Sequence, residues 1–416
     1  MTHNNRLLLI IGTVWPEPNS SAAGTRMIQL IKLFKREGWN VVFASSAADS
    51  EFSADLKDLG VDKKMIELNS CSFDEFIKNL KPDAVMFDRF MTEEQYGWRV
   101  AEQCPNALRI LDSEDLHCLR KGRQEALKQG RDFQPTDLLL SETAFREVAS
   151  IHRCDLALII SEYEIMLLQN HLKTDIALLI HTPFLFDAIE EKDFADLPPY
   201  QKREHFITIG NFLHPPNRAA VLWLKEEIWP MIRKTVPEAK LHVYGAYPAQ
   251  RDFQLHNKKE GFIVKGRAES AADVIRKARV LLAPLQFGAG LKGKLTDAMR
   301  AGTPSVTTPI GAEGMNGNLP WPGFIERTAE DFSKSATELY KNETIWKGAQ
   351  QHGKEIINHR FSAVQHGEQL MRRINEILSD LKKHRKKNFT GSMLRHHSHA
   401  STKYMSRWIE EKNRSK

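Results

Sequence analysis

Residues equipped for chemistry concentrate in one stretch, FGAGLKGKLTDAMRAGTPSVTTPIGAEG, from Phe287 to Gly314. An apolar run, VLLAPL, leads into a glycine-containing loop and then into a helix predicted to begin near Leu291. Backbone N–H groups at a helix start lack intrahelical acceptors and, with the helix dipole, favour an anion. Phosphate is the natural guest. Gly288 and Gly290 allow close backbone approach, and Lys292 in the first helical turn opposes the dipole unless an anion lies beside it. Asp297, about one and a half turns further on, is within reach of a ribose hydroxyl. The plain alternative is an ordinary glycine turn, a solvated Lys292, and a Lys294–Asp297 pair at i, i+3.

A second polar cluster, LDSEDLHCLR from Leu111, follows the apolar segment RIL. It puts Asp112, Glu114, Asp115, His117 and Arg120 at the carboxyl end of a parallel strand, where ligands of α/β folds bind. One reading gives Asp115 or His117 a contact with a bound ligand; the other makes Asp115 the cap of a helix. The Asp112/Asp115 spacing invites a metal, but a single such pair is a weak signal. Nearer the N-terminus, the TVWPEPNSSAAGTRM loop opens a helix at Gly24. That glycine is a candidate for close approach to a ligand, or else part of a capping turn led by Ser20 or Ser21.

These residues need a frame. From Arg6 the chain reads strand LLLII, loop, helix RMIQLIKLFKREG, strand NVVFAS, with Met27, Leu30, Ile31 and Phe34 recurring on one helical face. Further apolar strands at Ala84, Ala107 and Leu156 alternate with helices predicted over 73–80, 93–103 and 136–152. Short apolar strands between amphipathic helices indicate a parallel sheet covered on both faces. A polar stretch with two adjacent prolines, EEKDFADLPPYQKRE, then resembles a linker in composition. A second alternating series follows: FITIG, KLHVYG, GFIVKG, VLLAPL and SVTT. The predicted class is α/β, two tandem Rossmann-like domains facing across a cleft. The divisions are 1–187, a linker over 188–205, a second domain over 206–360, a helix over 361–383, and a basic tail over 384–416 expected to be disordered.

The second series carries a resemblance. IGNFLHPPNRAAVLWLKEEIWPMIRKTVPEAKLHVYG from Ile209, FIVKGRAESAADVIRKARVLLAPL from Phe262, and the Phe287–Gly314 stretch together resemble the nucleotide-sugar half of retaining GT-B glycosyltransferases, group 1 or family 4. A weaker likeness covers the TVWPEPNSSAAGTRM loop and SEYE at Ser161. The resemblance implies donor diphosphate against Gly290, Leu291 and Lys292, with Lys292 or Lys294 neutralising charge and Asp297, just before an Ala-Met pair, holding the ribose. It implies that Gly266 and Arg267 line the base and phosphates, Arg267 otherwise being a solvated surface residue, and that Gly24 faces the donor from the first domain. It implies retaining transfer of the hexosyltransferase type, in glycan biosynthesis, with Asp115, His117 and Lys292 as catalytic candidates and no metal or other cofactor. The acceptor would be a glycan, a lipid-linked or a small molecule, bound mainly by the first domain, with the C-terminal helix crossing back over that domain. The family's usual second Glu is replaced by Ala289, which leaves the sugar-contacting carboxylate unassigned. A nucleotide-sugar 2-epimerase of the same fold and a non-catalytic nucleotide-sugar-binding protein are the rival readings.

Composition bounds the rest. In 416 residues, apolar runs reach only six, as in AAVLWL from Ala219, against roughly 20 for a membrane span. The N-terminal apolar run is shorter than the roughly 7–15 residues of a signal-peptide core. Cys71, Cys104, Cys118 and Cys154 form no C-x-x-C pair and read as reduced structural thiols. The expected location is cytoplasmic, either free or peripheral to the inner face of the membrane. Lys382 to Lys416 holds eleven Lys and Arg against two acids, within a chain of net charge +6. That tail is expected to solubilise or to make a weak contact with anionic membrane. The absence of an aromatic-interleaved basic face argues against nucleic acid as a partner.

Overall fold

A computed structural model describes residues 6–414. The first sheet has seven strands, all paired in parallel: β1 (Leu7–Gly12), β2 (Asn40–Ser45), β3 (Asp62–Met65), β4 (Ala84–Asp88), β5 (Leu108–Asp112), β6 (Leu156–Ile159) and β7 (Leu179–His181). Its order is β3-β2-β1-β4-β5-β6-β7. The second sheet comprises β8 (Glu204–Ile209), β9 (Leu241–Tyr244), β10 (Phe262–Gly266), β11 (Ala278–Ala283), β12 (Ser305–Thr307) and β13 (Gly323–Ile325), in the order β10-β9-β8-β11-β12-β13. Strand order reverses at β1/β4 in one sheet and at β8/β11 in the other. Crevices at such switch points are where open α/β sheets hold ligands.

Alternation along β1 explains why this sheet is covered on both faces. Leu8 and Ile10 enter one apolar cluster while Leu9 and Ile11 enter another, all fully buried, as the two-residue period of a strand requires. The cluster under Leu8 and Ile10 is completed by Leu370, Met371, Ile374 and Ile377 of the helix Ala363–Ser379. The C-terminal helix therefore does cross back onto the first domain. The two chain crossings lie side by side: Phe186 N–H donates to Phe361 O at 2.8 Å and Ala363 N–H to Phe186 O at 2.9 Å.

Local differences from the predicted elements have physical causes. The helix expected over 136–152 is split at Ser141, which follows a 3₁₀ turn (Pro135–Leu140) and caps a new helix (Glu142–Arg153) by accepting from Ala144 N–H. Within the expected linker, Arg203 is fully buried and donates to Ala301 O at 2.9 Å and to Thr303 Oγ1 at 2.6 Å. Strand β8 begins directly after it.

The tail contradicts the expected disorder. Leu381–Lys387 and Phe389–Arg414 are helices, the second packed on helices Arg89–Gln103 and Glu142–Arg153. Arg385 grips both oxygens of buried Asp155, at 2.8 and 2.7 Å, and donates to Ala107 O at 2.7 Å. Buried Arg99 donates to Ser406 Oγ at 3.2 Å and lies 3.7 Å from Glu410. The tail holds on through charge-assisted bonds, so a composition poor in aliphatics concealed it. Among the described residues, no helix is long and apolar enough to cross a membrane.

Candidate active site

The carboxyl ends of the two sheets face each other across a cleft of about 530 Å³. From the first domain, the loops after β1, β4 and β5 bring Asn19–Ala23, Arg89, Glu114, Asp115, His117 and Arg120 to its wall. From the second, the loops after β8, β10 and β11 bring Asn211, His214, Asn217, Arg267 and the stretch Phe287–Asp297, with Glu313 close behind.

The loop after β11 is more tightly built than its sequence suggests. Gly288 and Gly290 have φ of 153° and 62°, conformations that side chains resist. The helix begins at Gly293, not near Leu291. Lys292 is therefore its N-cap residue, in extended backbone, rather than a first-turn residue. The Lys292 side chain is buried and its Nζ donates to the carbonyls of Gly290 and Ala289. Burial lowers its pKa to about 8, with Glu313 opposing. Lys294 Nζ donates to Asn217 Oδ1 at 2.8 Å, and burial lowers it to about 7. The expected alternative pairing of Lys294 with Asp297 is thus replaced by a bond to Asn217. Asp297 is pushed up to about 6 by burial, against the pull of Arg300. Leu291 packs with Ile160 and Phe184 of the first domain in an interdomain cluster.

Two helix starts converge here. A methyl placed on Gly293 would lie 2.7 Å from Ala22 Cβ, so the N-terminus of helix Gly293–Arg300 abuts that of helix Ala22–Arg36. Both present N–H groups without intrahelical acceptors to the same crevice. Ser21 is the cap of the first of these helices, accepting from Gly24 N–H at 3.0 Å. Gly24 itself is not on the cleft wall, in contrast to its expected role. A methyl there would lie 2.4 Å from the Glu17 carbonyl, so its smallness serves the packing of the loop. Gly266 is likewise off the wall, at φ 75° beside Phe253. Arg267 is on it, half-buried and engaged. Its guanidinium sits 3.4 Å from the Phe52 ring centroid and donates to Ser20 Oγ at 3.0 Å, across the domain boundary.

In the first domain Asp115 does not cap the helix His117–Lys128. The N–H groups of His117 and Cys118 go to the Glu147 carboxylate, both at 3.0 Å, and that of Leu116 to Glu164 at 2.9 Å. Asp115 instead accepts from Arg120 and lies 3.4 Å from His117 Nε2. Burial would raise Asp115, but Arg120 and then His117 outweigh it and hold the carboxyl below its usual range. Burial lowers His117 to about 4, so its imidazole is neutral at pH 7. Asp112 is fully buried and accepts from Arg26 at 2.8 Å, so the two carboxylates of the Asp112/Asp115 spacing have separate cationic partners.

Several wall residues escaped sequence reasoning. His214, whose pKa burial lowers to about 4, faces Asp115 and Arg120 from the second domain. Its signal was its place just after strand FITIG. Arg89 and Glu114 have φ of 69° and 61°, strained for non-glycine residues and invisible in composition. Glu164 Oε1 accepts from Gly290 N–H at 2.9 Å as well as from Leu116, tying the glycine loop to the first domain. Arg123 forms a bidentate pair with Glu313 at 2.8 and 2.7 Å and donates to Gly288 O at 2.9 Å.

Gly290 is a tight interdomain contact, because a methyl there would lie 2.8 Å from Asp115 Cβ. Gly290→Ala should cost about 1–2 kcal/mol for left-handed backbone and about 1–3 kcal/mol for overlap. Thermal unfolding should show a lower melting temperature, and small-angle X-ray scattering a larger radius of gyration as the cleft is wedged open. An unchanged melting temperature and radius would contradict this packing.

Comparison with known proteins agrees with this geometry. Residues 203–342 match the family described as Glycosyl transferases group 1. An uncharacterized 44.6 kDa protein in the cps region of Klebsiella pneumoniae is 30% identical over 166 residues, which is 38% of this chain and 40% of that protein. A crystal structure of S. aureus TarM, in complex with fondaparinux, alpha-GlcNAc-glycerol and UDP, superposes on 89% of this chain and 100% of its own, with a TM-score of 0.67 at 9% identity. Sucrose-phosphate synthase from Thermosynechococcus elongatus superposes on 90% of this chain and 99% of its own, with a TM-score of 0.64 at 15% identity. The pneumococcal O-GlcNAc transferase GtfA, in complex with UDP and GlcNAc, does so on 91% and 100%, with a TM-score of 0.66 at 13% identity. The chain has the GT-B fold, and residues 203–342, which carry the Lys292 loop, are similar to the group 1 glycosyltransferases.

Proposed function

We propose that this protein transfers a sugar from a nucleoside diphosphate sugar to a hydroxyl acceptor, with retention of configuration. The observation that carries the reading is the convergence of two helix N-termini, the buried Lys292 and the half-buried Lys294 on one crevice. A diphosphate satisfies all of them. In this reading Lys292 and the helix N–H groups stabilise the negative charge that grows on the leaving diphosphate. Asp297 binds the ribose and Arg267 the base or phosphates. The contacts across the cleft, Arg123–Glu313 and Arg267–Ser20, hold the domains together and exclude water. Ala289 packs into the apolar cluster of the first domain, so no carboxylate acts from that position. Asp115, pressed against the neighbouring Gly290, takes that place beside the sugar, and neutral His117 orients the acceptor hydroxyl. The acceptor is a glycan, a lipid-linked or a small molecule. The free cysteines suit the cytoplasm.

UDP is the first nucleotide to test, since TarM and GtfA were crystallised with it. Release of UDP from UDP-sugars, measured with and without a panel of acceptors, tests the reading. Acceptor-dependent release, or slow release by hydrolysis, supports it. Conversion of the donor sugar with no acceptor present would identify an epimerase, and binding with no release of any kind a non-catalytic protein.

Affinity for UDP should depend on pH through Lys294. A bound diphosphate raises its pKa from about 7, so binding is strongest where the amine is already charged. Affinity then falls as pH rises from 7 towards the bound-state pKa, by at most about tenfold per pH unit. Calorimetric titration between about pH 7 and 9 should show that fall, and Lys294→Met should make it shallower, leaving the share of Lys292, whose pKa of about 8 lies in the same range. A profile unaffected by Lys294→Met would remove the residue from the phosphate site.

A further inference from the structure

The helix Phe389–Arg414 has two unlike faces. Gly391, Arg395, His399, Ser406 and Glu410 point to the first domain, with Arg395 donating to Arg153 O at 3.2 Å and Glu410 accepting from Cys71 N–H at 3.1 Å. The opposite face carries Phe389, Met393, Tyr404, Met405 and Trp408, exposed at 78, 45, 71, 60 and 60%. At about 100° per residue these five fall within one arc of about 160°, and they run for about 28 Å along the helix.

The basic residues of the tail sort into two sets. Arg385, Arg395, Lys403 and Arg414 are engaged by carboxylates or backbone carbonyls. Lys382, Lys383, Lys386, Lys387, Arg407 and Lys412 are exposed and enter no ion pair among the described residues. Four of this set lie on the helix Leu381–Lys387 that precedes Phe389, and Arg407 and Lys412 flank Trp408, Arg407 lying 5.9 Å from the Trp98 ring and Lys412 5.2 Å from the Trp408 ring. Aromatic side chains with a polar edge, set among unpaired lysines, match the headgroup level of an anionic bilayer, where the rings bury their apolar bodies and the ammonium groups meet phosphate. A second copy of this chain fits poorly, because two-fold pairing of the stripe would set these like charges against each other.

We propose that this face docks the protein on an anionic lipid surface, with the Phe389–Trp408 stripe lying in the interface and the free lysines on the headgroups. The surface shares no residue with the cleft, so the proposal stands or falls apart from the proposed reaction.

Co-sedimentation of the full chain with phosphatidylcholine vesicles, and with vesicles that are one third phosphatidylglycerol, is the test. At about 0.1 M salt, partitioning into the anionic vesicles should exceed that into neutral ones by about tenfold or more, and should weaken at about 1 M salt. Tyr404→Ser/Trp408→Ser should lower anionic binding by about tenfold with the unfolding curve unchanged, since both rings are solvent-exposed. Lys386→Glu/Lys387→Glu should lower it further than either serine change alone. Equal partitioning into both vesicles, no partitioning into either, or wild-type binding by the ring variant would overturn the proposal. So would a dimer in sedimentation velocity that the ring variant converts to monomer, because the stripe would then belong to a second copy.

Discussion

Lys292→Ala is expected to lower kcat for sugar transfer by about a hundredfold to a thousandfold, the usual loss when one preorganised charge-stabilising group is removed. The side chain is buried at the mouth of the glycine loop, with its Nζ held by the Gly290 and Ala289 carbonyls. It is therefore placed before the donor arrives and needs no reorganisation when charge develops. The effect should fall on kcat more than on KM, because charge on the leaving diphosphate is greatest in the transition state. Stability should not fall. Burial disfavours the charged amine, as its lowered pKa of about 8 indicates, so removing it relieves a cost. Steady-state kinetics beside a melting curve checks both parts. A variant that keeps its turnover would show that Lys292 is a structural loop anchor only.

The second large effect concerns the frame behind the site. Asp112 ends β5 fully buried, and its carboxylate accepts from Arg26 Nε at 3.0 Å and Nη2 at 2.8 Å. Arg26 is 1% exposed and also donates to the carbonyls of Thr182 and Pro183, which joins β5, the first helix and the segment leaving β7. Asp112→Ala strands a guanidinium in the interior and should cost about 3–5 kcal/mol. Replacing both partners, Arg26→Met with Asp112→Leu, should cost much less, because no uncompensated charge remains. Urea unfolding of the two variants would show the contrast. Equal losses in both would mean that the carbonyl bonds of Arg26, rather than the ion pair, carry the stability.

What was legible in the sequence follows from where the information lies. Strands such as LLLII and AVMFD are buried on both faces, so composition alone marks them. Strand β3, Asp62–Met65, is a polar edge strand exposed along its length, and β13, Gly323–Ile325, has only three residues, too few to display the two-residue period. The Phe287–Gly314 loop was legible because glycine, lysine and helix start coincide within a few positions. Its partners were not. Arg123 and Glu313 are 190 residues apart, and Glu164 and Gly290 are 126 apart, so only the folded chain brings them together. Gly24 left two readings open because a glycine needed for packing and one needed for a ligand look alike in a sequence, and the structure shows the capping turn led by Ser21. The tail was misread because its order rests on arginines bound to carbonyls and carboxylates, and composition counts such residues as solvated.

The central claim is that the part of the cleft where the helix starts at Ala22 and Gly293 meet is a diphosphate site. Thermal unfolding with UDP, UMP and uridine, on the wild type and on Lys292→Ala, tests it most directly. UDP at about 100 times its dissociation constant should add about 2.7 kcal/mol of stability, UMP less, uridine little, and the UDP gain should largely vanish in Lys292→Ala. Equal gains from UDP and uridine, or a UDP gain that survives in Lys292→Ala, would contradict the account.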